Sequence, residues 1–407
     1  AAPAAARRRG AGGSSALEAS QASSQRSAEQ VAVNPHAAWF SATALVGRVR
    51  APLSHATHVR GLRPATVPLY MGFAGSGGPD WANELGGSKM SSFGHWPAKW
   101  SGKLANIVTE RWLINCAEYR ADLANTTPPF QVMVKELSAV TSQRELVALQ
   151  KFRGGDFITV YDIGEGQTDY GEDTTYVLME AADKNLAGVI RNFDRVRIDN
   201  KLKLMVQTLR AVVRMHEANY AHLDLKPENI IVFGDYNTAE GCDGKVAGFG
   251  RVQDMSSADA QTVEVTNGNI VMIYQAPENY LTGPELKSDV WSLGVIFHEL
   301  FVGDQPVFLY GFFLSDFSGR GVEWAEYVSL QFDLFKDVDF KAFRDNYPAI
   351  ADILQKMLHP DPEYRITSVE ALRLCQDLME RVGMPPVPER GEVKLPDAWY
   401  SGEADDA

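Results

Sequence analysis

The sequence has few cysteines, no long apolar run and no excess of positive charge. Its three cysteines, Cys116, Cys242 and Cys375, lack the spacing of a metal site, and an odd number leaves at least one thiol outside any disulfide. The absence of a run of about 18 apolar residues excludes an ordinary transmembrane helix. A net charge of −13 argues against general nucleic-acid binding, so we expect no nucleic-acid partner.

Glycine is missing from one long stretch of the chain. None of the 34 glycines lies between Gly102 and Gly154. Closely spaced backbone N–H groups that cradle phosphates usually come from glycine-rich loops, and this stretch has no residues for one. The glycine cluster GFAGSGG at 72–78 is interpreted as a flexible linker.

The length of 407 residues favours one large two-part domain with extensions. Residues 1–66 are rich in Ala, Ser and Arg and are interpreted as disordered, with an arginine-bearing membrane-surface or partner segment as the alternative. Residues 67–104 are expected to form an N-terminal extension or linker. Residues 385–407 are expected to form a Pro-rich, acidic tail.

Strands come first in the globular part, residues 105–384, and helices follow. FQVMVKEL (130–137) and TTYVLMEA (174–181) have the β-branched and apolar residues typical of strands. KLKLMVQTLRAVVRMHEA (201–218) has the apolar stripe of an amphipathic helix. SDVWSLGVIFHELF (288–301) is apolar nearly all round, which is typical of a helix buried inside a domain.

The strongest chemical signal is HLDLKPENIIV, residues 222–232. A loop of this kind can bring a carboxylate, an ammonium group and an amide into one cleft. Asp224 could then orient and deprotonate a hydroxyl, Lys226 could neutralise a phosphoryl group, and Asn229 could bind a metal ion. Taken alone, the same residues could also form an ordinary polar surface loop.

Through this loop the chain resembles the protein kinases, since H-x-D-x-K-x-x-x-N is the pattern of their catalytic loop. YQAPENY (274–280) and SDVWSLGV (288–295) follow in the expected order. The resemblance implies that Arg365 is the ion-pair partner of Glu278, and that His222 and Asp289 are structural residues. It also implies a bilobal α+β fold, with a small antiparallel β lobe and its helix C at 105–182 and a large helical lobe at 183–384.

The resemblance also assigns a nucleotide site. VMVK makes Lys135 the phosphate-binding lysine, and Glu145 is its expected ion-pair partner. Glu145 also completes a capping box with Ser142, which is a structural alternative for the same carboxylate. YVLMEAA makes Met179 the gatekeeper, with the backbones of Glu180 and Ala182 facing adenine.

Several positions depart from the kinase pattern. Gly248 stands where the magnesium-binding aspartate is expected, so Asn229 is the remaining candidate metal ligand, with Asp243 and Asp254 near in sequence. Leu223 replaces an arginine that commonly pairs with a phosphorylated activation loop, and Val271 replaces a threonine. The glycine-rich loop before the lysine strand is missing.

Because it lacks the glycine-rich loop, the chain resembles the glycine-loop-less branch of the secreted rhoptry-type kinases and pseudokinases of coccidian parasites. This resemblance implies secretion into rhoptries, dense granules or the parasitophorous vacuole, with membrane or host-facing partners. We expect a pseudokinase in which binding of ATP and Mg²⁺ is weak or absent, acting as a binding or scaffold module for a protein partner that the sequence does not identify. The alternative is an active serine/threonine kinase with unusual metal handling.

Overall fold

The computed structural model describes residues 96–113, 116–137, 142–168, 171–182, 184–257, 272–306, 309 and 321–400. All of them belong to the unit from Phe73 to Ala407. The predicted disordered segment 1–66, the glycine cluster 72–78 and Val271 lie outside the described residues.

The small lobe is built on one antiparallel sheet with the spatial order β1, β2, β3, β5, β4. Helix α1 (Ser142–Lys151) follows the third strand. The strands are β1 (Leu104–Leu113), β2 (Cys116–Leu123), β3 (Gln131–Glu136), β4 (Val160–Gln167) and β5 (Asp173–Glu180). β1 and β2 form a hairpin directly before the lysine strand, so the element that carries a glycine-rich loop in the expected fold is present here without glycine.

The side chains of β2 alternate between the two faces of the sheet, as the period of a strand requires. One set is buried and packs against Trp100 and Tyr176 in what we call the outer cluster: Ala117, Tyr119, Ala121 and Leu123. The other set consists of Glu118, Arg120 and Asp122. Because Glu118 pairs with Lys135 in the ladder, this charged set lies on the cleft face, the face that carries the lysine.

The large lobe is mostly helical, and together with the antiparallel sheet of the small lobe it confirms the predicted α+β fold. Its strands are β6 (Lys184–Asn185), β7 (Tyr220–Ala221), β8 (Ile230–Gly234), β9 (Cys242–Val246) and β10 (Gln253–Asp254). Its helices are α2 (Leu186–Ile190), α3 (Ile198–Glu217), α4 (Glu278–Leu281), α5 (Leu286–Val302), α6 (Gly321–Asn346), α7 (Pro348–Met357) and α8 (Ser368–Arg381). A short helix, α9 (Asp397–Tyr400), follows them.

Helix α5 lies at the centre of the large lobe and is buried on nearly all sides, as its sequence predicts. Helix α8 begins with a reciprocal capping box between Thr367 and Glu370. Cys242 and Cys375 are both buried and free, so these two cysteines are not joined to each other. Within the described ranges, no helix combines the length and apolar character needed to cross a membrane.

The segment after α8 differs from the acidic tail that its composition suggests. Arg210 of α3 donates hydrogen bonds to the carbonyls of Val387 and Pro388, at 2.8 and 3.1 Å. Further on, Leu395 and Trp399 are 5% and 6% exposed and complete the outer cluster of the small lobe. Residues 385–400 therefore cross from the large lobe to the small lobe, and we call them the C-terminal strap.

The predicted linker also carries structure at its end. Trp100 is buried in the outer cluster, and the Trp96 ring lies 5.0 Å from the Tyr119 ring and 4.9 Å from the Tyr176 ring. Residues 96–104 thus belong to the small lobe. The sequence did not suggest this because the segment has almost no apolar periodicity beyond its tryptophans.

Candidate active site

The lysine of β3 and the glutamate of α1 form the ion pair expected from the sequence. Nζ of Lys135 lies 2.5 Å from Oε1 of Glu145, whose side chain is almost fully buried. The two residues are only ten positions apart, and α1 begins early enough to bring its first turn beside the strand. The Lys135 cation of the cleft is therefore held by a carboxylate from the neighbouring helix.

The loop after β7 is held in place by hydrogen bonds to Asp289 of α5. Its carboxylate accepts hydrogen bonds from the backbone N–H groups of His222 and Leu223, at 2.7 and 2.8 Å. These bonds fix Leu223 at φ +60°, a left-handed conformation that is costly for a non-glycine residue. Nε2 of His216 lies 3.0 Å from the same carboxylate. Asp289 thus supports the backbone of this loop.

His222 also has a structural role. Its Nε2 lies 3.0 Å from the carbonyl oxygen of Ala247, which can only accept, so Nε2 carries the proton of this bond. Its Nδ1 then accepts from the backbone N–H of Asp224 at 3.3 Å. The imidazole therefore ties the catalytic-loop aspartate to the backbone immediately before Gly248.

The three polar groups of the catalytic loop converge on Asp224. Lys226 donates from Nζ to Oδ2 of Asp224 at 3.0 Å. Asn229 donates from Nδ2 to the backbone carbonyl of Asp224 at 2.6 Å and to its Oδ2 at 3.0 Å. The sequence-predicted cluster therefore forms, with the carboxylate already hydrogen-bonded by an ammonium group and an amide.

Gly248 lies directly against this cluster. Its backbone is left-handed, with φ +79° and ψ 51°. A Cβ atom added to Gly248 would lie 2.5 Å from Oδ1 and 2.5 Å from Cγ of Asn229. The space next to Gly248 is thus filled by the Asn229 carboxamide, and any larger residue there requires Asn229 to move.

The nearby aspartates do not replace the missing carboxylate. Asp243 is bound by Lys203 at 2.7 Å and by Gln207 at 2.8 Å; burial opposes ionisation, but these hydrogen bonds keep its pKa below the usual range. Asp254 accepts from the backbone and hydroxyl of Ser256. No group of three or more metal-binding His, Cys, Asp or Glu side chains occurs among the residues that the structure describes. The residues present therefore do not fit a magnesium site built on a carboxylate at position 248.

Of the three predicted adenine-site residues, Met179 and Glu180 end β5 and Ala182 lies in the hinge just after it. Met179 pairs with Met133 in the ladder between β3 and β5. The Glu180 side chain is buried, accepts the Thr159 N–H at 2.8 Å, and forms an ion pair with Lys245 of β9. The carbonyl of Ala182 accepts a hydrogen bond from the Arg120 guanidinium at 2.9 Å.

Sequence reasoning missed both Arg120 and Lys245. The alternation in CAEYRADL (116–123) does indicate a strand with one charged face, but the face that meets the cleft depends on the pairing of β2 with β3. Lys245 lies three residues before Gly248, inside the mostly buried strand β9. Its buried charge is explained only by its pairing with Glu180, 65 positions earlier.

The ion pair between Glu278 and Arg365 forms as expected. Nη1 of Arg365 lies 2.5 Å from Oε1 of Glu278, and Nη2 lies 2.9 Å from Oε2. Both residues are almost fully buried. This bidentate pair connects α4 to the loop before α8, and so holds the end of the activation segment to the large lobe.

The fold, the lysine–glutamate pair and the loop around Asp224 together define a kinase architecture. The family model described as "Protein kinase domain" matches residues 131–376, and the chain belongs to this family. The match begins at the first residue of β3, so the β1–β2 hairpin lies before the matched range.

Curated relatives are similar at about 30% identity. Mitogen-activated protein kinase mpkB of Aspergillus fumigatus is 31% identical over 271 residues, covering 60% of this chain and 74% of the relative. Mitogen-activated protein kinase PMK1 of Pyricularia oryzae is 30% identical over 271 residues, covering 60% and 73%. Mitogen-activated protein kinase 13 of Arabidopsis thaliana is 29% identical over 264 residues, covering 58% and 67%. Members of the protein kinase family generally use ATP and Mg²⁺.

Proposed function

We propose that this protein is a pseudokinase, impaired in Mg²⁺-nucleotide binding and phosphoryl transfer, that acts as a binding or scaffold module. The observation that carries the proposal is the contact between Gly248 and Asn229. One expected metal ligand has no side chain, and the other donates its amide to Asp224.

The loss of one ligand is large for magnesium. Mg²⁺ in nucleotide sites is held by only one or two protein carboxylates together with substrate phosphates, and it gives up its water reluctantly. An amide that already donates to a neighbouring carboxylate is a weak replacement. The β1–β2 hairpin also lacks glycine, so close backbone approach to phosphates is not favoured there.

The alternative is an active serine/threonine kinase with unusual metal handling. The intact pair of Lys135 and Glu145 favours it, because this cation could still bind a phosphate group. Asp224 could still accept a proton from a hydroxyl if Lys226 and Asn229 released it. In that case Asn229 would have to turn its oxygen towards the metal.

Phosphoryl transfer and biological function together test the proposal. Asp224→Asn keeps the shape of the side chain but removes its negative charge, and a general base typically contributes about 10²–10⁴-fold to rate. We expect no detectable transfer by either protein, and we expect Asp224→Asn to restore the phenotype of cells lacking the gene as well as wild type does. Asp352→Asn, on an exposed carboxylate of α7, is the matched control.

The opposite outcome is equally clear. If wild type transfers phosphate, and if folded, abundant Asp224→Asn neither transfers it nor complements, the pseudokinase proposal is wrong and the alternative replaces it. If the two proteins complement equally, the role does not depend on chemistry at Asp224.

Subfamily, location and partners are part of the same proposal. The similarity to rhoptry-type kinases supports secretion into rhoptries, dense granules or the parasitophorous vacuole. The arginines of 1–66 support contact with a membrane surface or an acidic protein partner. Localising a tagged protein with and without residues 1–66 tests both points.

A further inference from the structure

Arg120 lies on the cleft face of β2, the strand that covers the cleft from above. Its ladder partner on β3 is Met133, and Met133 is in turn paired with Met179 of β5, just before the hinge. The cleft face of this sheet is the surface against which the flat, apolar adenine ring must pack if it is to reach the backbone of Ala182. A long cationic side chain in this position obstructs the packing of an adenine ring.

The guanidinium of Arg120 bridges three elements. It donates from Nε and Nη2 to the two carboxylate oxygens of Glu110 on β1, at 3.0 and 3.3 Å. It donates from Nη1 to Oε1 of Gln131 on β3 at 3.4 Å. It also donates from Nη2 to the carbonyl oxygen of Ala182 at 2.9 Å. The side chain therefore extends from the sheet to the hinge.

We propose that Arg120 is a built-in plug of the adenine site. Its guanidinium binds the carbonyl of Ala182 and lies across the cleft between β2 and the hinge, so that a purine base is excluded even before phosphates or metal are considered. The contact with Glu110 holds the plug because a bidentate arginine–carboxylate pair is both strong and directional. The Arg120 side chain is 21% exposed, so most of its surface is shielded from solvent.

This inference rests on the proposed pseudokinase function but concerns a different part of the cleft. Gly248 and Asn229 lie where the metal would bind, whereas Arg120 and Ala182 lie where the base would bind. The two proposals can therefore fail separately. A ligand that has the base but no phosphate addresses the plug alone.

The experiment is adenosine binding in EDTA, measured by calorimetry and by thermal unfolding. Wild type should bind adenosine very weakly. Arg120→Val removes the guanidinium and keeps a residue that favours strands, so it should bind adenosine about tenfold more tightly or better. The melting temperature should then rise with adenosine for the variant and stay nearly constant for wild type, since a ligand that binds only the native state stabilises it by mass action.

Three further variants make the result specific. Arg120→Lys keeps the charge but not the forked geometry, and should gain less than Arg120→Val. Glu110→Gln weakens the hold on the guanidinium and should give a smaller gain of the same sign. Asp122→Asn is the matched control: it removes a charge from the same face of β2, where Asp122 accepts from Asn106 at 2.9 Å, and should leave adenosine affinity unchanged.

The plug is overturned if wild type binds adenosine as tightly as Arg120→Val. It is also overturned if Arg120→Val melts like wild type in the absence of ligand and gains no affinity. In either case the metal-site argument at Gly248 still stands. Conversely, phosphate transfer by wild type would defeat the pseudokinase proposal whatever the adenosine result.

Discussion

Arg365 is the residue whose removal should destabilise the large lobe most clearly. All of its guanidinium donors have partners. Besides the two bonds to Glu278, Nε donates to the carbonyl of His359 at 2.8 Å, Nη1 to that of Lys287 at 2.9 Å and Nη2 to that of Pro360 at 3.0 Å. Its side chain is fully buried.

The expected loss for Arg365→Ala follows from these contacts. Removing one side of a buried ion pair costs about 3–5 kcal/mol, because the other charge remains buried without its partner. Among the described residues, Glu278 would keep the hydrogen bond from the Ser288 hydroxyl, at 2.8 Å. Three backbone carbonyls would also lose a donor. Since domains are stable by roughly 5–15 kcal/mol, we expect Arg365→Ala to lose a large part of the free energy of unfolding.

The assay is urea unfolding followed by circular dichroism and by tryptophan fluorescence. Trp291 is a useful reporter because the Arg365 guanidinium lies 5.2 Å from the centre of its ring. The control is Arg373→Ala, which removes an exposed arginine paired with Asp377 one helical turn away at 2.9 Å. Such surface pairs contribute about 0.3–0.5 kcal/mol, so this variant should unfold nearly like wild type.

A double substitution separates the lost pair from the unpaired charge. Glu278→Gln combined with Arg365→Met removes both charges, and should be less destabilising than Arg365→Ala alone if the isolated carboxylate is the main cost. If Arg365→Ala loses less than about 1 kcal/mol, or if Arg373→Ala loses as much as Arg365→Ala, the reasoning from burial is refuted.

Three other perturbations give distinct expectations. Burial raises the pKa of Glu299 to about 7, although the Tyr274 hydroxyl donates to it; because the folded-state pKa is raised, its contribution to stability is lost as pH rises towards 7. The melting temperature of Glu299→Gln should therefore fall less than that of wild type between pH 5 and 7.5, and an equal fall would contradict this. Trp399→Ala should cost about 3–5 kcal/mol by opening the outer cluster, measured by urea unfolding, whereas a free tail would give no change. Gly248→Asp should lower the metal-free melting temperature because its Cβ meets the Asn229 carboxamide, and an unchanged value would mean that Asn229 moves without cost.

Features carried by local sequence were predictable. The pair of Lys135 and Glu145 depends on a strand, a short connection and one helical turn, all within ten residues. The loop around Asp224 depends on a fixed spacing inside a single turn. In both cases the chain has little freedom to place the side chains elsewhere.

Features carried by distant contacts were not predictable. The bond from Arg120 to Ala182 joins residues 62 positions apart and depends on which face of β2 meets the cleft. The composition of the segment did not predict the strap, because prolines and acidic residues surround its two buried apolar residues, Leu395 and Trp399. A count over the whole segment indicates solvent exposure, whereas two buried side chains are enough to anchor it.

The retained catalytic loop is a weaker argument for activity than its sequence suggests. Asp224 accepts from both Lys226 and Asn229, so the three side chains already satisfy one another within the loop. A partly buried carboxylate left without donors would be costly, which gives these residues a structural reason to remain together. Activity would be indicated instead by kinase-type side chains at positions where they have no structural role. Gly248 lacks the carboxylate and Arg120 binds the hinge carbonyl of Ala182, so the cleft departs from the kinase pattern where nucleotide and metal would meet the protein and matches it where the loop supports itself.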